Sequence, residues 1–311
     1  MKLAQTPVDM IKLNGFTFYL KRDDLLHPDF CGNKARKFYS LLGQDLSGFN
    51  KLISYGSPQA NSLHSLAVLA RMKGVKFDYY VSHIASFVTD HPAGNYRAAL
   101  ANGARVIVVD KEARQQRSMA DFINEQVAPN EPASITIPEG GHYAEAEMGI
   151  KLLADEIIGW AQGKNINQLK LALPSGTGTT ALFLQRHFLQ QQDLQIEVLT
   201  CACVGGDDYL RQQFFMLEAN AHFHPQILPS ASKHHFGKLY LKDYQLWQQL
   251  SSQTGVEFEL LYDPHGWQTL LDYLAGLETE QQAIPVMYIH QGGLLGNETL
   301  LPRYKRKWPT S

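Results

Sequence analysis

The sequence predicts an α/β protein built on open, twisted, mostly parallel sheets that are flanked by helices. Short runs rich in branched apolar residues alternate along the chain with longer stretches of helical periodicity, and this alternation is typical of parallel sheets covered by helices. The chain has 311 residues, of which 44% are hydrophobic and 19% charged. It is therefore long enough for one large or two moderate domains with a substantial core.

The first part of the chain follows the order strand, helix, strand, helix, strand. We predict the strands over 51–54, 76–81 and 105–109 and the helices over 62–72 and 94–100. The strand segments combine branched and aromatic residues, which pack well on a pleated surface.

The same order returns later, with strands over 169–173 and 197–203 on either side of a helix over 179–189. Cys201 and Cys203 lie two residues apart on the second of these strands, so they share a face and we expect a buried pair. The one other cysteine in the sequence is Cys31. Three are too few for a disulfide scaffold, and the pattern lacks the second pair of a common zinc site.

The start of the helix over 62–72 marks an edge where a ligand is expected. Asn61 and Ser62 are placed to cap this helix, and Gly74 is placed to end it. Residues 59–61 then lie on the loop that follows a strand. Ligands of open α/β sheets collect at that edge.

Charge and hydropathy exclude several classes of protein. The 28 Lys and Arg against 30 Asp and Glu leave a formal charge of -2, so the broad cationic surface of a nucleic-acid-binding protein is not evident. No segment has the pattern of a secretory signal or a membrane span, and we expect a cytoplasmic protein. The tight basic run at 303–308 is interpreted as a solvated C-terminal end. Four histidines lack the cysteines or carboxylates of a metal site: His222, His224, His234 and His235.

A lysine near the start of the chain suits covalent chemistry. Lys34 follows Gly32 and Asn33 at a predicted helix start. Its amine can form a Schiff base if it lies in a partly desolvated pocket. Lys37 lies on nearly the same helix face, so spacing alone allows either lysine to serve.

The loop at 175–180 has the composition of a phosphate cradle. Its glycines let the backbone approach an anion, its hydroxyls add donors, and the following helix presents the positive end of its dipole. A Walker loop would need a lysine after Gly178, where this chain has Thr179. The loop contains Ser175, Gly176, Thr177, Gly178, Thr179 and Thr180. Together with Lys34 it predicts pyridoxal 5'-phosphate as the cofactor.

With these residues in place, the chain resembles the 1-aminocyclopropane-1-carboxylate deaminase and D-cysteine desulfhydrase family, which has the tryptophan-synthase-β-like fold type II of PLP enzymes. The run Phe-Tyr-Leu-Lys-Arg-Asp-Asp-Leu at 18–25, followed by Gly-Asn-Lys-Ala-Arg-Lys at 32–37, carries the resemblance. It continues in the family's order through 59–61, 94–95, 103–104, 138–141, 175–180 and 289–294. The resemblance favours Lys34 over Lys37.

The resemblance also implies a domain organisation and a set of cofactor contacts. Residues 1–42 and 156–311 would form a larger PLP-binding domain, and 43–155 a smaller inserted α/β domain, with the cofactor in the cleft and a homodimer as the assembly. Asn61 would bind the 3' oxygen of the cofactor, and the 175–180 loop its phosphate. Gly293 would lie near the ring.

Two departures from the family pattern fall close to the site that the resemblance implies. Ala60 stands where the family usually has a serine, so a hydroxyl is replaced by a methyl group. Alignment on Gly266 places His265 opposite the pyridine nitrogen, where its tautomer would set the hydrogen bond. The same alignment puts Pro264 at the position of a substrate-contacting tyrosine, unless a local gap lets Tyr262 take that position.

These observations predict a PLP-dependent lyase or deaminase with Lys34 as the catalytic residue. Its substrate would be a small amino acid such as 1-aminocyclopropane-1-carboxylate or D-cysteine, and its products a 2-oxo acid and ammonia. The residues expected to contact substrate are Gln59, Ala60, Asn61, Tyr262 and Gly293. Two alternatives stay open: a PLP or amino-acid binding protein with little turnover, and a β-replacement synthase of the same fold.

Overall fold

The computed structural model describes residues 5–30 and 32–309; Cys31 lies outside the described residues. The strands in order are β1 Val8–Leu13, β2 Phe16–Arg22, β3 Lys51–Tyr55, β4 Lys76–Val81, β5 Ala104–Val108, β6 Ser134–Ile137, β7 Gln168–Ser175, β8 Gln195–Ala202, β9 Gln226–Ile227 and β10 Val286–His290.

The helices in order are α1 Gly32–Lys37, α2 Tyr39–Gly43, α3 Asn61–Lys73, α4 Ser86–Asp90, α5 Gly94–Ala101, α6 Met119–Phe122, α7 Glu147–Gly163, α8 Thr179–Phe188, α9 Asp207–Leu217, α10 Leu241–Thr254, α11 Asp263–Ala275, α12 Thr279–Gln282 and α13 Asn297–Lys307. Short 3-10 turns lie at Asp23–Leu25, Ala128–Asn130, Glu139–Gly141, Ala144–Ala146, Ala221–Phe223 and Leu294–Gly296, and a π turn at Ile123–Val127.

The strands form two sheets of unequal size. The six-stranded sheet has the order β1-β2-β10-β7-β8-β9, and the four-stranded sheet the order β5-β4-β3-β6. Only the β1–β2 pair of these described strands is antiparallel. Its hairpin turns at Asn14 and Gly15, whose φ values are 52° and 83°, as the Asn-Gly hairpin turn requires.

Both sheets are covered by helices, which explains the continuous apolar runs of their central strands. All five residues of β10 are buried, and β7 is buried from Leu169 onward. In the six-stranded sheet, one cluster packs against α7 and α8 and another against α10 and α11. The helix α3 buries the run from Ser62 to Ala70 in the core of the four-stranded sheet.

The predicted fold class and the predicted elements are confirmed, with ends that differ by two residues at most. Gly74 ends α3 in the left-handed conformation, with φ 68°, and Cys201 and Cys203 form the expected buried pair. The predicted cap at Asn61 is wrong. The N-cap position, immediately before α3, is occupied by Ala60, and no side chain caps the helix.

The predicted domain boundary after residue 155 falls inside α7. Buried residues on both sides of it, Leu153 and Ile157, pack in the same cluster as Leu171 of β7. The whole of α7 therefore covers the six-stranded sheet. Within residues 5–30 and 32–309, no helix combines the length and the hydropathy needed to cross a membrane.

Candidate active site

A cavity of about 510 Å³ lies between the two sheets, at the carboxyl ends of their central strands. Its lining comes from the loop after β3, the end of β7 and the loop after β10. This is the edge at which parallel sheets bind ligands. The predicted site residues that line the cavity are Lys34, Gln59, Ala60, Asn61, Ser175, Gly176, Thr177, Gly178, Thr179, Thr180 and Tyr262.

The amines of Lys34 and Lys37 meet at one carbonyl group. Lys34 Nζ lies 3.3 Å from the carbonyl oxygen of Gly140, and Lys37 Nζ lies 3.0 Å from the same oxygen. Lys37 Nζ also lies 3.4 Å from Thr177 Oγ1. Both lysines therefore reach the cavity, with Lys37 directed toward the 175–180 loop.

A buried ionic network fixes the helix that carries these lysines. Arg36 is fully buried and bonds Asp23 at 2.9 Å and Glu156 at 2.7 Å. Lys21 bonds the same Glu156 at 2.6 Å. The network ties α1 to β2 and α7. Breaking one of these buried ion pairs would leave an uncompensated charge. The network therefore holds α1 in place.

The 175–180 loop joins β7 to α8 and contains one position, that of Gly178, which only glycine can occupy without strain. Gly178 has φ 71°, and a Cβ added there would lie 2.3 Å from Phe214 Cε1. The hydroxyls of Thr177 and Thr179 lie 3.1 Å apart. Thr180 Oγ1 is buried and has no hydrogen-bond partner among the described residues.

These features fit a phosphate group. The first N–H groups of a helix lack partners within the helix, and its dipole attracts anions. The buried hydroxyl of Thr180 lies in the first turn of α8. An anion held at this helix end would supply the acceptor that the hydroxyl otherwise lacks.

Asn61 is oriented by its neighbours. Asn95 Nδ2 donates to Asn61 Oδ1 at 2.8 Å and to the carbonyl oxygen of Gln59 at 3.0 Å. The amide nitrogen of Asn61 is then the group that can donate to a ligand oxygen. Gly293 does not line the cavity, but it lies next to the amide nitrogen of Asn61, which a Cβ on Gly293 would approach to 2.6 Å.

His265 does not line the cavity either, so the structure corrects its predicted position opposite the pyridine nitrogen. Its ring stacks on that of His234, with 4.1 Å between ring centres. Burial, followed by the neighbouring His234, lowers the pKa of His265 to about 4. His234 in turn bonds Asp243 at 2.8 Å. The pair belongs to the packing behind the cavity wall.

The cavity wall in this region is formed by Glu259, Tyr262 and Asp263. The hydroxyl of Tyr262 faces the 175–180 loop, since a Cβ on Gly176 would lie 3.4 Å from it. Pro264 lies outside the lining, which contains two tyrosines, Tyr209 and Tyr262. Of the two positions that the alignment allowed, only that of Tyr262 is in the cavity.

Glu259 and Asp263 were missed by the sequence analysis. Glu259 is 2% exposed, and burial together with the charge of Asp263 raises its pKa to about 8. Asp263 accepts a hydrogen bond from the hydroxyl of Tyr288 at 2.7 Å, and burial raises its pKa as well. The only signal in the sequence is an acidic residue between Phe258 and Leu260, both of which are buried.

Known proteins are similar to this chain over most of its length. The family model described as "Pyridoxal-phosphate dependent enzyme" matches residues 1–226. The Pyrococcus horikoshii protein named "Putative 1-aminocyclopropane-1-carboxylate deaminase" is 23% identical over an alignment of 292 positions that covers 91% of this chain and 86% of that protein. The Oryza sativa subsp. japonica protein named "Putative D-cysteine desulfhydrase 2, mitochondrial" is 24% identical over an alignment of 336 positions that covers 92% of this chain and 80% of that protein.

A solved structure shares the fold over nearly the whole chain. The crystal structure of a protein described as an ACC deaminase homologue superposes with a TM-score of 0.79 and 21% sequence identity. The match covers 98% of this chain and 95% of the other. At this level of identity the likeness shows the fold.

Proposed function

Because this chain belongs to the family of pyridoxal-phosphate dependent enzymes, we propose that it deaminates a small amino acid to a 2-oxo acid and ammonia. The substrates to test first are 1-aminocyclopropane-1-carboxylate and D-cysteine. The observation that carries the proposal is the convergence of Lys34, Asn61 and the 175–180 loop on one cavity.

The residues present suit the cofactor. In this proposal the 175–180 loop holds the phosphate, the amide nitrogen of Asn61 donates to the 3' oxygen, and Lys34 forms the covalent bond. When bound, the cofactor withdraws electrons from the α-carbon of the amino acid, which makes loss of a proton easier.

Lys34 is proposed to move that proton. Its amine shares the carbonyl oxygen of Gly140 with the amine of Lys37. Attack and proton removal both require the neutral form of this amine.

The substrate carboxylate is proposed to lie at the start of α3. Gln59, Ala60 and Asn61 line the cavity there, and a helix N-terminus attracts anions. Ala60 has no hydroxyl to transfer a proton. Tyr262, on the facing wall, is the proposed hydroxyl donor.

The second candidate function is binding without fast turnover, and the methyl group of Ala60 is the observation that favours it. Assays with D- and L-amino acids separate the two functions. Rapid release of ammonia supports the enzyme, whereas a change in the visible spectrum without product supports the binding protein.

A pair of matched variants tests the covalent residue. Lys34→Met is expected to lose the visible absorption band of the lysine-bound cofactor together with ammonia release, because the only proposed covalent bond is removed. Lys37→Met, three residues along α1, should keep the band. Borohydride reduction followed by peptide mass mapping identifies the modified lysine. A band that persists in Lys34→Met and is lost in Lys37→Met would overturn the assignment.

A further inference from the structure

The mouth of the cavity carries an arginine that the proposed reaction does not use. Arg303 lines the cavity from α13 and is solvent-exposed. It shares the mouth with Phe236, which is 41% exposed. The sequence alone had suggested that Arg303 belongs to a solvated basic end.

Arg303 has no hydrogen-bond or ion-pair partner among the described residues. Nine of the other arginines form such bonds with described residues, and Arg306 is the remaining one that does not. The other cations of the cavity lining, Lys34 and Lys37, lie at the carbonyl oxygen of Gly140.

Arg303 shares the cavity lining with Glu139, Glu259 and Asp263, and among the described residues it is ion-paired with none of them. Glu298 on the same helix bonds the amide of Gly94 at 2.8 Å and the guanidinium of Arg97 at 2.8 Å. Glu259 of the cavity wall accepts from the amide of Tyr262 at 2.7 Å. Within the described part of the chain, the cation therefore meets the cavity without a carboxylate of its own.

The helix α13 fixes the position from which the side chain of Arg303 extends. The bonds of Glu298 hold the start of α13 against α5. Thr299 and Arg303, four residues apart, lie on one face of α13, and both line the cavity. That face also contributes Leu300, so the charged group stands at the edge of an otherwise uncharged stretch of wall.

We infer that Arg303 binds a second anionic group, at the end of the substrate's side chain. This inference rests on the proposed function, because it assumes that the α-carboxylate lies at the start of α3. The guanidinium group offers paired donors that match a carboxylate or a phosphate. The preferred ligands are then amino acids with acidic side chains. Those that turn over must also carry a leaving group on the β-carbon, as O-phosphoserine does, because aspartate and glutamate have none and can only bind. Arg303 and the start of α3 line the same cavity.

Binding to the cofactor-loaded protein at low salt tests the inference. Both enantiomers of aspartate and glutamate are titrated against those of asparagine and glutamine, with calorimetry and the visible spectrum as readouts. We expect the best acidic amino acid to bind about tenfold more tightly than its amide, a typical effect of a charge-assisted contact. O-phosphoserine against serine distinguishes a phosphate from a carboxylate as the preferred group.

Arg303→Gln should remove the preference for the acidic ligand and leave amide binding unchanged. Arg306→Gln, on the same helix and outside the cavity lining, is the control and should keep the preference. Equal binding of acids and amides by the unmodified protein overturns the inference, as does an equal loss in Arg306→Gln. Ammonia release from 1-aminocyclopropane-1-carboxylate or D-cysteine is measured separately, so failure of the proposed function is seen independently.

Discussion

The two polar walls of the cavity differ in what satisfies their polar atoms. The loop wall, formed by Lys34, Lys37 and residues 175–180, includes the buried Thr180 hydroxyl, which has no partner among the described residues. The acidic wall, formed by Glu259, Tyr262 and Asp263, is bonded internally. Glu259 accepts from the amide of Tyr262 at 2.7 Å, and Asp263 from the amide of Glu259 at 3.0 Å.

The loop wall therefore needs a ligand to supply the missing hydrogen-bond partner, whereas the polar atoms of the acidic wall find their partners within the protein. A buried polar group without a partner costs about 1–3 kcal/mol, so the loop wall gains most when an anion arrives. The acidic wall gains nothing comparable. Burial raises the pKa of both Glu259 and Asp263, so burial favours the neutral form of each carboxyl group.

The largest expected effect comes from filling the loop wall with one methyl group. Gly178→Ala places a Cβ 2.3 Å from Phe214 Cε1 at φ 71°. The left-handed conformation and the overpacking together should lower the free energy of unfolding by about 2–4 kcal/mol. Denaturant unfolding measures this change, and cofactor retention should fall with it.

Gly74→Ala is the matched control for that variant. Gly74 has φ 68°, and a Cβ added there meets nothing within 4 Å. Only the conformational cost of about 1–2 kcal/mol is expected, with cofactor retention unchanged. Equal losses in the two variants would show that the close packing of Gly178 against Phe214 is unimportant.

The loop wall could be predicted from the sequence because its geometry is local. A strand, a turn and a helix start follow one another within 168–188, and the glycines mark the turn. The same holds for α3, where Gly74 signals the end. Asn61 shows the limit: its side chain bonds Asn95, a partner 34 residues away, so local capping rules failed there.

The acidic wall could not be predicted because distant parts of the chain place it. Asn297 holds the segment by accepting from the amide of Leu260 at 2.9 Å and donating to the carbonyl oxygen of Phe258 at 2.9 Å. His265 follows Asp263 by two residues in α11. At about 100° per residue it points about 200° away from the carboxylate that faces the cavity. Alignment on Gly266 carries no such rotational information.

An intermediate effect is expected from Glu259→Gln in the acidic wall. The pKa of Glu259 is raised to about 8 in the folded protein from about 4.3 in an unfolded chain. The protonated Glu259 therefore contributes its full stabilisation at a pH below its pKa in the unfolded chain. That contribution is lost as the pH rises through its pKa in the folded protein. A difference of one between the folded and unfolded pKa corresponds to about 1.4 kcal/mol, so the glutamine variant should gain up to a few kcal/mol relative to the native protein at alkaline pH.

Unfolding free energies at about pH 5, 7 and 9 test this sign. The difference between Glu259→Gln and the native protein should grow with pH. Glu280→Gln is the control, since Glu280 is exposed in α12 and its replacement should leave the profile unchanged. A difference that stays constant from about pH 5 to about pH 9 would mean that Glu259 is ionised in the folded protein throughout this range.

The smallest expected effect sharpens the comparison most, because its two readouts move in opposite directions. Thr180→Val keeps the shape of the side chain and removes a buried hydroxyl without a described partner, so the cofactor-free protein should gain about 1 kcal/mol in unfolding free energy. Cofactor retention should weaken about fivefold to tenfold, the loss of one hydrogen bond of about 1–1.5 kcal/mol.

Thr269→Val is the control: that buried hydroxyl donates to the carbonyl oxygen of His265 at 2.8 Å, away from the cavity lining. Its loss should destabilise the protein by about 1 kcal/mol and leave cofactor retention intact. If Thr180→Val destabilises the cofactor-free protein as Thr269→Val does, the hydroxyl serves the fold, and the distinction between the two walls is wrong at this residue.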